Sequence, residues 1–336
     1  MDTEALTRKG WKYGAKITMD DEILTLNPLS HLLEWQKPTN VFVKKHPEKR
    51  MVSYHGKGIR FCVTPEHRFY VRSVGRGRWR WTTANDIENK GSIAFPVSAY
   101  LNRRGVEHSD DLLRLSGWMC AEGHFRTDSG MIEISQNVNT KGYQAIENIL
   151  NSLNIPYSFY KSPSRNNGLF RIKAEAGHAI RNSLQSSKSI PVWLWDASPR
   201  QFRIWLNSLM DGDGSRNKNS MTIKQKDKTF LDTLQALCIT HRISAVMSDE
   251  HTSSTGGNYH TLNLMDGITE RIPEAANVGK SYLKDVTADE VWCLSVPNKT
   301  LVTRYKGRPL ITGNCSPDWC GFFSICPYTK GRIITS

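Results

Sequence analysis

Two short stretches, "LSGWMCAEG" at residues 115–123 and "LNSLMDGDG" at 206–214, each run an apolar segment into an acidic residue followed by glycine. Their apolar spacing is helical, so Glu122 and Asp213 stand at helix C-termini, where the negative end of the macrodipole favours a cation. Small residues interrupt both helices, Ser116, Gly117 and Ala121 in one and Asn207, Ser208 and Gly212 in the other. Small side chains let two backbones approach closely, so the helices could form a seam with both carboxylates at one end. Adjacent carboxylates repel each other unless a cation lies between them. Hard oxygen donors without histidine or cysteine suit Mg²⁺, completed by water and a substrate phosphate. The chemistry of such a pair is metal-activated water attacking a phosphodiester. A lone acidic residue before a glycine cap is commonplace, but two in matched surroundings are not.

A second group of residues points to chemistry on the chain itself. The amide of Asn314 can attack its own backbone carbonyl, cyclise to a succinimide and cut the bond to Cys315, whose thiol can accept an acyl group. In "VTPEHRFY", Thr64 and His67 are three apart, a spacing that on an extended or turning segment can aim both at one peptide bond, polarising it and protonating its nitrogen.

The elements that must position these residues fall into two patterns. From Ala5 to Arg72 short alternating stretches separated by turn signals predict a mostly antiparallel β unit, followed by a short turn at 84–88. From about Ser109 the pattern becomes α/β: helix, strand, amphipathic helix, two strands, helix. The same order then begins again. Glu122 and Asp213 are 91 residues apart and Ile134 and Ile223 are 89 apart, the mark of an internal duplication. Strands return from about Val286, so the α/β segment interrupts one β unit. The last 22 residues resemble neither part.

The chain has 336 residues, enough for two or three units, and a formal charge of +13 that makes a polyanionic partner physically favourable. Neither a membrane span nor a signal peptide is evident, which predicts an intracellular, cytoplasmic protein. Seven irregularly spaced cysteines predict free thiols. Cys315, Cys320 and Cys326 lack the fourth ligand of a zinc site.

"LNSLMDGDG" matches position for position the motif that names the LAGLIDADG homing endonucleases, and "LSGWMCAEG" resembles a diverged first copy. The resemblance implies two pseudo-symmetric αββαββα units at 107–187 and 188–275, Mg²⁺ or Mn²⁺ held by Glu122 and Asp213, and double-stranded DNA with a long asymmetric target as partner of a monomer. It also implies a basic residue near the site. "TIKQK" offers Lys224 or Lys226, whereas "EISQN" places Ser135 and Asn137 there, with Lys188 as a distant substitute. That asymmetry leaves impaired or strand-biased cutting open.

The flanks resemble the splicing domain of an intein, an all-β horseshoe of the Hint type. "DTEALTRKGW", "VTPEHRFY" and "VWCLSVPNKTLVTRYKGRPLITGNC" match its ordered blocks and end at Asn314–Cys315. The implied division is 1–100 and 280–314 for the splicing domain, 107–275 for the nuclease and 315–336 for the start of a C-extein. By the same resemblance Cys293 acts as acid or nucleophile in branching, and Thr312 belongs with it in inteins that begin at that cysteine, although Phe69 stands where those have tryptophan. Gly313 replaces the usual histidine before the terminal asparagine. Met1 stands upstream of Asp2 where a cysteine or serine is expected. The expectation is therefore a chain that retains only cleavage after Asn314. A decayed, non-cutting DNA binder and a purely self-processing domain are the alternatives. Finally, "VRSVGRGRWRW" interleaves Arg76, Arg78 and Arg80 with Trp79 and Trp81, a phosphate-contacting hairpin or a basic surface closed by indoles.

Overall fold

The computed structural model describes residues 2–45, 50–75, 77–87, 92–126, 128–162, 166–184, 189–252, 257–274 and 283–314. Arg76, Lys188 and Cys315, with the expected C-extein, lie outside the described residues. The chain opens with β1 (Thr3–Thr7), β2 (Gly10–Tyr13), β3 (Ile23–Leu26), β4 (Leu32–Gln36), β5 (Asn40–Lys45) and β6 (Met51–His55). There follow β7 (Arg60–Val63), β8 (Arg68–Ser73), β9 (Trp79–Thr83), β10 (Ile93–Pro96) and β11 (Tyr100–Leu101). Next come α1 (Asp110–Glu122), β12 (Gly123–Phe125), β13 (Ile132–Asn137), α2 (Lys141–Ser152), β14 (Tyr157–Lys161), β15 (Asn167–Ile172) and α3 (Ala174–Leu184). The order restarts with α4 (Pro199–Asp213), β16 (Gly214–Asn217), β17 (Ser220–Gln225), α5 (Lys228–Ile239), β18 (Ile243–Met247), β19 (His251–Thr252) and β20 (Asn258–Asp266). The last strands are β21 (Glu270–Arg271), β22 (Lys284–Val286), β23 (Glu290–Ser295), β24 (Thr300–Tyr305) and β25 (Arg308–Gly313).

This mixed α/β chain forms two compact units. The first contains 1–102, 238–249 and 264–336; the second contains 103–237 and 250–263, so the boundary passes within α5 and β20. In the first unit the first and last described strands enter one sheet of order β11-β4-β3-β1-β24-β25, with β2 on β1. Thr3 pairs with Tyr305, and β24 pairs with β25 from Thr300↔Gly313 to Tyr305↔Arg308. All four residues of β3, "ILTL", are buried, as expected of a strand covered on both faces. A cluster including Val52, Phe61, Phe69, Val71, Phe95 and Leu310 packs behind the turn that carries His67. Arg304, 2% exposed, is held by Glu4 through Nε at 2.5 Å and lies against the Trp11 ring, so its buried charge is both paired and stacked.

In the second unit, local sequence starts the two helices cleanly. The Ser109 hydroxyl accepts from the Leu112 N–H, with Asp110 and Asp111 in the first turn of α1. Ser198 and Gln201 form a reciprocal capping box at α4, with Pro199 opening the helix. The strands that follow α1 form a sheet of order β12-β13-β15-β14, and those that follow α4 in this unit run in the order β16-β17-β20, so each helix leads directly into an antiparallel strand pair. The first series ends in α3; no helix follows β20 among the described residues.

The helices α1 and α4 pack through their small residues. A β-carbon added at Gly117 would stand 2.5 Å from the Trp205 carbonyl oxygen and 2.7 Å from Ser208 Cβ; one at Gly212 would meet Ala121 Cβ at 2.5 Å. Gly117 therefore sets the separation of two backbones, neither of which can rotate away. Gly117→Leu should cost about 3 kcal/mol or more, measured by denaturant unfolding, because it forces the seam open. Stability within experimental error of wild type would show that the helices are not in close contact.

Candidate functional site

Glu122 is the last residue of α1 and Asp213 the last of α4. In each case the next glycine ends the helix, Gly123 N–H bonding to the Met119 carbonyl and Gly214 N–H to the Met210 carbonyl. The seam brings the two helix ends together: Glu122 Cγ lies 3.4 Å from the place a Gly212 β-carbon would take, next to Asp213. Both residues are half-buried. Gln225 Nε2 donates to Asp213 Oδ2 at 2.7 Å.

The placement of Gln225 follows from strand register. Gly214 pairs with Ile223 and Gly123 with Ile134, which makes Gln225 and Gln136 counterparts in the two sheets. Ile223 is buried toward the helices, and alternation puts Gln225 on that side and Lys224 on the other. Accordingly Lys224 Nζ lies over the Tyr259 ring, 5.3 Å from its centroid, while Lys226 is exposed just past the strand. Gln136 differs from its counterpart: its Oε1 accepts from Asn137 N–H at 2.8 Å and from Thr140 Oγ1 at 3.3 Å. Sequence reasoning sought a lysine here and passed over the glutamine that "EISQN" and "TIKQK" share at the same position.

Among the described residues no group of three or more His, Cys, Asp or Glu side chains is arranged to hold a metal. A two-carboxylate site is nevertheless what Mg²⁺ accepts, since it keeps several waters and takes further oxygens from phosphate. Glu122 and Asp213, hard oxygen donors on half-buried residues at the ends of two packed helices, fit that group.

The first unit contains the described residues expected to act on the chain itself. Thr64 and His67 bracket a tight turn closed by a 3.0 Å bond from His67 N–H to the Thr64 carbonyl. His67 Nε2 shares a 2.6 Å hydrogen bond with Thr312 Oγ1, and the Phe69 ring stands edge-on at 5.0 Å. His67 is half-buried as a residue, and the protein around its ring lowers its pKa to about 4 by burial. Asn314, 8% exposed, follows directly on β25; its Nδ2 donates to the Val296 carbonyl at 3.2 Å and its N–H to Lys299 at 3.0 Å.

Gly313 has no room for a side chain. A β-carbon there would collide with the Arg68 carbonyl oxygen and come within 3.1 Å of the Trp81 ring. Glycine at this position is thus a packing requirement of this chain.

A depressed histidine pKa has a definite sign in the pH dependence of stability. Between the unfolded value near 6.5 and the folded value of about 4, the unfolded chain binds the proton and the native chain does not. The contribution of His67 is therefore complete above pH 6.5, falls as pH drops through that window, and is lost below 4. Its upper limit is about 3 kcal/mol. Denaturant unfolding at pH 7 and pH 4.5 should show a drop that is smaller in His67→Gln; equal drops in both would remove His67 as its source.

One expectation changes. Cys293, on β23 opposite Phe42, is disulfide-bonded rather than a free thiol, because the fold and not the sequence spacing decides which sulfurs meet. Its acid or nucleophile role would first require reduction. Cys62, Cys120 and Cys238 form no disulfide, and burial pushes the Cys120 thiol up to about 12. In the β8–β9 hairpin, Arg80 Nη1 donates to Ser73 Oγ at 2.8 Å and only Arg78, among the described arginines proposed for DNA, is exposed. The indoles are packed: Trp79 stacks on Tyr70 with centroids 5.1 Å apart, and Arg68 lies 4.8 Å from the Trp81 ring centroid.

No family model matches the chain. Over 257 aligned residues it is 23% identical to the ATP-dependent Clp protease proteolytic subunit of Chlamydomonas moewusii, covering 66% of this chain and 25% of that protein. Over 395 it is 21% identical to the DNA-directed RNA polymerase subunit beta C-terminal section of Stigeoclonium helveticum, covering 94% and 36%. The chain thus spans about a quarter to a third of the length of these curated relatives. Among solved structures it is similar to I-DmoI in complex with DNA and Mn, with a TM-score of 0.35 and 12% identity over 46% of this chain and 89% of that one. It is also similar to the AceL NrdHF class 3 split intein, with a TM-score of 0.35 and 13% identity over 94% and 96%. No helix among the described residues is long and apolar enough to cross a membrane.

Proposed function

We propose that the second unit is a metal-dependent, site-specific DNA endonuclease of the LAGLIDADG type and that the first is an intein splicing domain interrupted by it. The observation that carries the nuclease reading is the pair of matched helices whose close seam ends in Glu122 and Asp213. The repeat of a helix leading into an antiparallel strand pair, α1 into β12–β13 and α4 into β16–β17, supports two pseudo-symmetric halves, each presenting a sheet to one half of a DNA target. The charge of +13 favours the duplex as partner.

Glu122 and Asp213 would hold Mg²⁺ or Mn²⁺, which supplies a lowered water pKa and steadies the departing oxygen. The protein's part is orientation. Gln225 fixes one carboxylate of the pair through the 2.7 Å bond to Asp213. Lys224 and Lys226 then serve the strand surface as phosphate contacts. Arg78 offers a further phosphate contact from the first unit.

The processing reading rests on Asn314 and its surroundings. Attack of Nδ2 on its own carbonyl carbon forms the succinimide, breaks the bond to Cys315 and passes a proton to the released amine. Thr64 and His67, with Thr312 fixing the imidazole, would act at the N-terminal scissile bond.

Cleavage of a plasmid library carrying the presumed uninterrupted insertion site, with Mg²⁺ and with EDTA, tests the nuclease. Site-specific cutting that EDTA abolishes is expected. Specific binding without cutting would replace the proposal with a decayed nuclease that still recognises its site.

A further inference from the structure

In the first unit two arginines, neither of them used above, converge on one carboxylate oxygen. Arg60 begins β7 and Arg308 begins β25; their Nη1 atoms lie 3.5 and 3.2 Å from the same Oδ1 of Asp249. The side chains of Arg308 and Arg60 are 9% and 17% exposed, whereas that of Asp249 is 68% exposed. Arg308 Nη1 also donates to the Lys306 carbonyl at 2.7 Å. The Nε of each guanidinium is buried with no hydrogen-bond partner. A buried donor left unmade is costly, and here two occur on neighbouring cations.

The surroundings add to the positive field. His55 pairs with Arg60 across β6 and β7, and its ring meets that of Tyr305 edge-on at 5.7 Å. Lys306 occupies the left-handed turn between β24 and β25, and Lys284 pairs with Ser53 from β22. Burial, and then the charges of Lys306, Arg60 and Lys284, hold the His55 pKa below its ordinary value. Burial and the neighbouring Arg60 likewise lower the pKa of Arg308, and only Asp249 opposes them. The neighbouring acid Asp285 is engaged with Arg50 at 2.6 Å.

We propose that Arg60 and Arg308 form a receptor for a phosphate group, with the exposed Asp249 carboxylate as its displaceable occupant. A tetrahedral oxyanion presents more acceptor oxygens than the one Asp249 offers, and guanidinium forks match that geometry. The phosphate belongs either to a DNA backbone or to free inorganic phosphate. Neither source depends on the nuclease chemistry, so failure of that reading leaves this one standing.

The test is a calorimetric titration of the full chain with inorganic phosphate, matched for ionic strength with chloride. Wild type should bind saturably, Arg60→Gln should lose the signal while keeping its melting temperature, and Asp249→Asn should bind about tenfold tighter. Should Arg60→Gln fail to fold, Asp249→Asn carries the test, because removal of a merely structural carboxylate would not tighten an anion site. No saturable heat in wild type, an unchanged response in folded Arg60→Gln, or weaker binding in Asp249→Asn would each overturn the proposal. A second arm measures non-specific duplex binding against salt. A slope lower by about 1 in Arg60→Gln assigns the site to a DNA phosphate, and an unchanged slope beside lost phosphate binding assigns it to the free anion.

Discussion

Asp213→Asn should reduce Mg²⁺-dependent DNA cleavage by about 10³-fold or more while leaving specific DNA binding within about threefold of wild type. The magnitude follows from the several kcal/mol of transition-state charge stabilisation that a bound metal supplies, at about 1.4 kcal/mol per factor of ten. The substitution keeps the shape of the side chain and its contact with Gln225, now between two amides. It removes one carboxylate of the Glu122–Asp213 pair. Because Asp213 is half-buried at a helix terminus rather than inside the core, melting should change little. Glu122→Gln should act in the same way. Undiminished cutting by either variant would remove the carboxylate pair from the mechanism. Loss of binding together with cutting would instead point to a damaged fold.

The organisation of the second unit was legible because its signals are local and repeated. The small residues of "LSGWMCAEG" and "LNSLMDGDG" lie where Gly117 and Gly212 meet the opposing helix, and Ser109 and Ser198 mark where the helices start. What the sequence concealed was the face of a side chain one residue away. Lys224 and Gln225 are adjacent in the chain, yet strand alternation gives the glutamine to Asp213 and the lysine to Tyr259. Long-range packing was equally hidden. Nothing near Gly313 announces that the Arg68 backbone, 245 residues earlier, occupies the space of a side chain. The Arg60–Asp249–Arg308 cluster joins three distant segments, so no spacing could reveal it.

Asn314→Ala should abolish cleavage after residue 314 altogether, since the attacking nitrogen is the Asn314 side-chain amide. Mass spectrometry over several days would then find only the full chain, against a slowly growing product ending at Asn314 in the wild type. The alanine also loses the bond to the Val296 carbonyl, at a stability cost of about 1 kcal/mol, too small to unfold the unit and so separable from the chemistry. The companion Gly313→His distinguishes a chemical explanation of the missing histidine from a steric one. If an imidazole were merely absent, restoring it would accelerate cyclisation. The collision with Arg68 instead predicts a loss of about 3 kcal/mol and no gain in rate, because the strand must move before the ring can be accommodated. Faster cleavage in a stable Gly313→His chain would refute the steric account. Continued cleavage in Asn314→Ala would refute succinimide formation itself, leaving hydrolysis as the route by which the bond is broken.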